Sequence, residues 1–424
     1  MSEWIETKID ALTTDIIDCV NKTAPKVPYE TPYKMIRTTN VKDGRLDVSE
    51  VNFVEEGVFK KWTRRGLLEK NDILLTREAP LGEVARITNE KNYFLGQRIM
   101  MYRPDPQKVD PDFLFYAMLG REVKHQIKAF GMGSTVEHMR VPDCSEIVIK
   151  HPKDTEEQSC IGKTLSNLDQ KITLLRQQNQ TLEEVAQTLF KRWFVEFEFP
   201  NENGEPYKSS GGKMVESELG EIPEGWRVGV LSDIIELTGG GTPKTTIEAY
   251  WGGDICWYSV VDVPSDGDCF VVDTEKKITQ KGLENSSTKL LRKGTTIISA
   301  RGTVGKLAIT GLAMAMNQSC YGVNGKNSYG DFTTFFQLNY ALKVLKRRVH
   351  GAVFDTITKA TFDGIEISIS TPETLMAFEV TIKPIMKKIL CNVNEIQTLT
   401  QLRDTLLPKL MSGELRVKNQ IKLG

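Results

Sequence analysis

"IGKTLSNLDQKITLLRQQNQTLEEVAQTLFKRW", Ile161 to Trp193, decides how this chain is built. Ile161, Leu165, Leu168, Ile172, Leu175, Leu182, Leu189 and Trp193 keep a 4-3 spacing, with Asn179 and Ala186 at the two remaining seam positions. Such a narrow seam is a heptad repeat, the mark of a helix that packs against another long helix. The same seam returns as Phe378, Ile382, Ile385, Ile389, Ile396, Leu399, Leu406 and Leu410, with Asn392 and Arg403 in line. The two most simply bury their seams against each other, Asn179 and Asn392 setting the register; if they run antiparallel, the units they carry are related by an approximate twofold, and the alternative is that each helix packs on its own globular unit. At 1.5 Å per residue, about 40 residues span roughly 60 Å. "TEEQ" (Thr155 to Gln158) has capping-box form, and "TPE" (Thr371 to Glu373) offers an N-cap followed by proline. Pro384 should kink the second helix.

The segments before the helices repeat as well. "TIISARGTVGKLAI" (Thr296 to Ile309) matches "DILLTREAPLGEVARI" (Asp72 to Ile87), with Ile297, Ile298, Leu307 and Ala308 falling on Leu74, Leu75, Val84 and Ala85. Trp4 matches Trp226, "TAPK" (Thr23 to Lys26) answers "GTPK" (Gly241 to Lys244), and "YKMIRTTNV" lies over "ICWYSVVDV". "SEIVIKHP" parallels "GIEISISTP", which puts Ile147 on Ile367. The expected order is a globular unit at 1–152, a helix at 153–199, a polar, glycine-rich linker at 200–225, a second unit at 226–371, a helix at 372–415 and a tail at 416–424. The fold class is α+β: two similar mixed α/β units separated by a two-helix coiled coil, related by an approximate twofold.

The net charge of -1 excludes a chain that binds nucleic acid by bulk basicity, so any basic surface is local. Seven scattered cysteines with no CxxC pair argue against a disulfide framework and against zinc, and suit a reducing cytoplasm. No apolar run approaches the roughly 20 residues of a membrane span. None of the four histidines recurs between the copies, so no metal site is expected. The chain has no Pro-Pro pair of the kind an adenine methyltransferase uses to hold a flipped base, and "PDCSEIVIK" (Pro142 to Lys150) lacks the spacing of a nuclease metal site.

"LGEIPEGWRVGVLSDI" (Leu219 to Ile234), "QTLFKRWFVEFEFP" (Gln187 to Pro200) and "LLPKLMSGELRV" (Leu406 to Val417), with the duplicated order of parts, resemble the specificity subunit of Type I restriction-modification enzymes over essentially the whole chain. The resemblance implies that each unit is a target recognition domain reading one half of a split sequence in double-stranded DNA, with the helices as spacer. It also implies two modification (methyltransferase) subunits as partners, which would hold S-adenosylmethionine, and restriction subunits in the full complex. The competing readings are a coiled-coil adaptor without DNA contact and a self-contained DNA-modifying enzyme.

Candidate DNA contacts follow from side-chain chemistry: Lys and Arg meet phosphates, while Arg and Asn make bidentate contacts to bases. In the first copy these are Lys34, Arg37, Thr38, Thr39 and Asn40 past a strand, and Lys60, Lys61, Arg64 and Arg65 in "FKKWTRR". Gln97 and Arg98 follow in "GQR", then Ser134, Thr135 and His138 in "GMGSTVEHMR". In the second they are Lys244 and Thr245 in "GGGTPKTT", Tyr258 and Ser259, Gln318 and Ser319 in "NQS", and Lys359. Positions that differ between copies, Arg77 and Glu78 against Ala300 and Arg301, are candidates for base selection. "GGGTPKTT" lacks P-loop spacing and reads as a turn. In "LFKRWF", Phe190 and Phe194 are candidates for partner docking, the competing reading being a core at the helix end.

Overall fold

The computed structural model describes residues 3–89, 92–131, 137–264, 268–348 and 356–417. Two compact units divide the chain, and each takes one part of both long helices: unit 1 is Met1–Lys171 with Leu399–Gly424, unit 2 is Ile172–Thr398.

The units share one strand order. In unit 1, Thr13–Asp18, Ile99–Pro104, Ile73–Arg77 and Leu81–Arg86 lie side by side in that sequence; in unit 2, Ile235–Gly239, Cys320–Gly325, Thr296–Ser299 and Leu307–Thr310 do the same, with Phe270–Val271 added at the edge. A three-stranded sheet flanks each: Asn52–Phe53, Lys34–Ile36 and Tyr93–Leu95 in unit 1, Lys277–Ile278, Trp251–Tyr258 and Ala315–Met316 in unit 2. Leu74 faces Ala85 and Ile297 faces Ala308, so the hairpin correspondence read from sequence is the one the strands adopt. The hairpin turns take left-handed backbone at equivalent places, Ala79 (φ 52°) with Gly302 (77°), and Gly82 (88°) with Gly305 (77°).

The final strand of each unit corrects the sequence alignment. Ile9 N donates to Ile147 O at 2.8 Å, and Leu231 N to Ile365 O at 2.9 Å, so Ile147 corresponds to Ile365 rather than to Ile367. A slip of two residues returns each side chain to the same sheet face, which hides it from any reading of alternation.

The long helices are Thr155–Phe194 and Pro372–Ser412, the second continuing through Pro384. Every residue of the expected seam is buried or half-buried. Within unit 1, Arg403 donates to Asp169 at 2.7 Å and Arg416 to Glu157 at 2.9 Å. Within unit 2, Trp193 packs edge-on to Phe378 at 5.4 Å, and Asn392 Nδ2 donates to Asn179 Oδ1 at 2.8 Å. In each unit, ascending numbers on one helix meet descending numbers on the other. The seams also join the unit cores: Ile161, Leu165 and Leu410 pack with Phe113, Tyr102 and Ile149, and Phe378, Ile382 and Ile389 pack with Phe336, Leu231 and Ile309. Both expected packings therefore occur together.

The helix caps differ between copies. Thr371 caps the second helix through Thr374 N, as expected. The first helix uses Asp154, whose Oδ1 accepts from Glu156 N, while Gln158 is fully buried and bonds Asp110 N and Pro152 O instead. The "TEEQ" box does not form because its glutamine ties the helix to unit 1.

Residues 200–225, expected as a linker, carry structure. Phe199 stacks between Tyr207 (4.6 Å) and Trp226 (5.4 Å), and Met214–Val215 pairs with Ile222–Pro223. Three aromatic rings spaced along a polar stretch bury one another and join the core of unit 2.

Ile389→Ala, at a fully buried seam position, should cost about 2 to 5 kcal/mol in chemical denaturation. Val380→Ala, on the same helix but 72% exposed, should change stability by less than about 0.5 kcal/mol.

Candidate nucleic-acid interface

In each unit a threonine hydroxyl beside the "PK" turn bonds the glutamine of the paired loop: Thr23 Oγ1 donates to Gln97 Oε1 at 3.0 Å, and Thr242 Oγ1 to Gln318 Oε1. Trp62 Nε1 donates to Lys22 O, and Trp251 Nε1 to Lys244 O. The glycines of "GGGTPKTT" have a steric role: a Cβ on Gly240 would lie 1.9 Å from Asn317 O, and one on Gly241 2.2 Å from Ser287 Oγ. Gly240 lets this turn press onto the "NQS" loop and Gly241 lets it press onto Ser287, leaving Lys244 and Thr245 exposed beside Thr242 and Gln318.

A second convergence lies where each hairpin turn meets the strand entering the last part of the unit. Arg77 N donates to Arg98 O (2.8 Å) and Met139 N to Arg77 O (3.0 Å); in unit 2, Ala300 N donates to Ser319 O (2.7 Å) and Ile357 N to Ala300 O (2.9 Å). This backbone frame brings Glu78, Arg98 and His138 together in unit 1, with Glu78 Oε2 3.4 Å from both Arg98 Nε and His138 Nδ1. Arg301 and Lys359 are exposed in unit 2, Arg301 bridging to Thr356.

Three candidates are corrected by burial. Asn40 is 3% exposed; its Oδ1 accepts from Arg37 N, and its Nδ2 donates to Asp47 O and Glu50 O. Asp262 caps the matching turn in unit 2 through Ser259 N and Oγ, so Asn40 is the hinge of a tight turn and has no amide left for a base. Arg77, 7% exposed, spends its guanidinium on Met139 O and Asp18. Tyr258 is fully buried, and its burial raises the phenol pKa. Ser259 is half-buried and committed to its cap.

Lys60, Lys61 and Arg64 are exposed on the helix Glu56–Trp62 and just past it. Lys60 pairs with Glu56 at 2.7 Å, and Lys61 lies 5.8 Å from the Trp62 ring centre. Arg65, also exposed, donates to Asp18 O and Cys19 O. Lys34, Arg37, Thr38, Gln97 and Ser319 are half-buried and Thr39 is exposed. Lys34 Nζ sits 5.8 Å over Phe53, and Arg37 donates to Glu50 O. Ser134 and Thr135 lie outside the described residues. Phe190 and Phe194 are 3% and 7% exposed: Phe190 stacks on Phe336, Phe194 meets Trp226, and both contact Phe378. They close the core at the helix end rather than offer a free docking patch, though they line a cavity of ≈ 270 Å³ with Tyr340 and Leu345.

Among the described residues no three His, Cys, Asp or Glu side chains gather at metal-binding distance. Burial pushes the Cys144 thiol up to about 11 and Cys320 to about 12, which keeps both protonated and unreactive. No helix of the described residues is long and apolar enough to cross a membrane.

The sequence pattern described as "Type I restriction modification DNA specificity domain" matches residues 25–184 and again 223–401. The chain belongs to that specificity-subunit family.

The duplicated match falls on the two units whose strand orders agree. The chain is 25% identical over 473 residues to the Type I restriction enzyme HindI specificity subunit of Haemophilus influenzae, covering 98% of this chain and 100% of that protein. It is 27% identical over 396 residues to the MjaIX specificity subunit of Methanocaldococcus jannaschii, covering 92% and 87%. A crystal structure of the Type I S subunit from M. genitalium shares the fold, with a TM-score of 0.57 at 17% identity over 96% of both chains.

Thr23 and Thr242 were legible only as parts of a repeated turn; their bonds to Gln97 and Gln318 need the fold. The exposed apolar residues of the helices, Leu174, Val185, Met376, Val380 and Leu402, also escaped notice. Their signal is that they stand off the 4-3 seam.

Asn40→Ala should lower stability by about 1 to 3 kcal/mol, because it strips a buried turn of its bonds, without altering DNA sequence preference. Tyr258→Phe should leave preference unchanged and keep or raise the unfolding midpoint, since no side chain or backbone group among the described residues meets the buried hydroxyl.

Proposed function

We propose that this specificity subunit reads a bipartite DNA target, one unit per half-site, and that the paired helices set the gap and hold two modification subunits. Restriction subunits join in the full complex. The chain performs no chemistry of its own; S-adenosylmethionine belongs to the modification subunits, and the setting is the cytoplasm. The observation that carries this reading is duplication with divergence. The units repeat the same strand order and the same Thr–Gln and capping bonds, yet bear different side chains where their loops converge. A duplicated reader related by an approximate twofold meets two separated half-sites as a dimer meets a palindrome, and unlike side chains make the halves unlike.

The near-neutral charge supports a division of labour in which modification subunits supply most phosphate contacts. Exposed Leu174, Val185, Met376, Val380 and Leu402, on helix faces turned from the seam, offer those subunits apolar footing. Co-expression with a cognate modification subunit, followed by mapping of adenine methylation, should give two short defined parts around a fixed gap. Methylation without a split motif would defeat the reading. Inserting one heptad into both helices should lengthen the gap and leave both half-sites intact, as read by the same map. Val380→Asp should reduce recovery of the modification subunit in pull-down while the unfolding midpoint of the chain holds.

A further inference from the structure

Arg98, Glu78 and His138 occupy a place that the internal repeat isolates. The backbone bonds that frame it recur in unit 2 within 0.1 Å, so corresponding positions are fixed by hydrogen bonding: Arg77 with Ala300, Arg98 with Ser319, Met139 with Ile357. Within that common frame the side chains change character. Unit 1 presents Glu78, Arg98 and His138; unit 2 presents Arg301, Ser319 and Thr356. Each has one exposed arginine, and it springs from a different strand end.

Arg98 is arranged as a prepared donor. Its backbone sits at φ 69°, a conformation that disfavours side-chain-bearing residues, and is clamped on both sides: its N–H meets Cys19 Sγ at 3.2 Å and its carbonyl accepts from Arg77 N at 2.8 Å. Glu78 approaches the side chain at Nε, and the two terminal nitrogens make no hydrogen bond among the described residues. The side chain is 52% exposed, while Glu78 beneath it is 22% exposed. A carboxylate this close repels phosphate and offsets the charge that a backbone contact needs. It does not oppose the edge of guanine, whose N7 and O6 accept from the two free nitrogens.

We propose that Arg98 is the guanine-reading side chain of unit 1, with Glu78 and His138 as its positioning residues, and that Arg301 reads for unit 2. The proposal rests on the reading of the chain as a two-unit DNA reader and names the residues that tell its halves apart.

The test uses the complex reconstituted with modification subunits and competition by duplexes in which each base pair of the target is changed in turn. The wild-type complex should prefer one G·C pair in the first half by roughly 10- to 100-fold. Arg98→Ala and Arg98→Lys should bring that preference below about threefold, with every other position in both halves unchanged. Glu78→Ala should weaken discrimination at the same pair alone, which a loss of fold would not do. Arg301→Ala should act likewise, confined to the second half. Uniform weakening across all duplexes with a shallower salt dependence would make Arg98 a phosphate contact and overturn the assignment, as would an unchanged preference or loss of all binding at an unaltered unfolding midpoint. A wild-type complex with no split preference would instead overturn the two-unit reading, and this assignment with it.

Discussion

A hydrogen bond between two fully buried amides, Asn392 Nδ2 to Asn179 Oδ1, sits among the apolar residues of the seam in unit 2. A change of register would part the two amides and set Asn392 against aliphatic side chains, at roughly 1 to 3 kcal/mol for each polar group left unpaired. The pair is also tied outward, since Asn179 Nδ2 donates to Asp268 in the strand-entry loop of unit 2 and Asn392 Nδ2 reaches Gln178. In unit 1 the seam position Arg403 does comparable work: it binds Asp169, which also accepts from the Tyr116 hydroxyl at 2.6 Å. Helix register and the seating of each globular part on its helices are thus one constraint.

The architecture was legible because it is written in periods. The 4-3 seam and the hairpin offset survive substitution, as they depend on residue class and spacing rather than identity. Two things resisted. Strand alternation is blind to a shift of two, so the last strand of each unit could not be aligned without its hydrogen bonds. Polar residues near a turn, such as Asn40, Ser259 and Arg77, look alike whether they face solvent or satisfy buried backbone. Burial and hydrogen bonding separate them: Asn40 and Arg77 are buried, and the Ser259 hydroxyl is held by Asp262, so all three belong to the scaffold. Phe190 and Phe194 erred in the same direction, since an aromatic cluster at a helix end has the same sequence whether or not a neighbour covers it.

The repeat supplies its own comparison. Bonds present in both units, Thr23 to Gln97 with Thr242 to Gln318 and the Asn40 turn with the Asp262 turn, mark what the fold requires. Side chains that differ in an unchanged frame mark what it leaves free. One chain thereby separates framework from selectivity without any relative.

The helix that follows each hairpin sheet carries one further asymmetry. In unit 1, Asp110 caps Pro111–Leu119 through Phe113 N, and Gly162 on the long helix leaves room, since a Cβ there would lie 2.8 Å from Asp110 Oδ1. In unit 2 the loop position is Gly330, and the carboxylate comes from the long helix: Glu379 accepts from Phe332 N and from Thr333 N and Oγ1. Each solution holds one acid and one glycine, in opposite places. Shuffling a recognition part onto the other helix would bring two carboxylates to one helix start, or none. Viable exchange of recognition parts therefore has to carry the opening turns of the adjoining helix with it, which places the natural seam for recombination inside the helix rather than at its beginning.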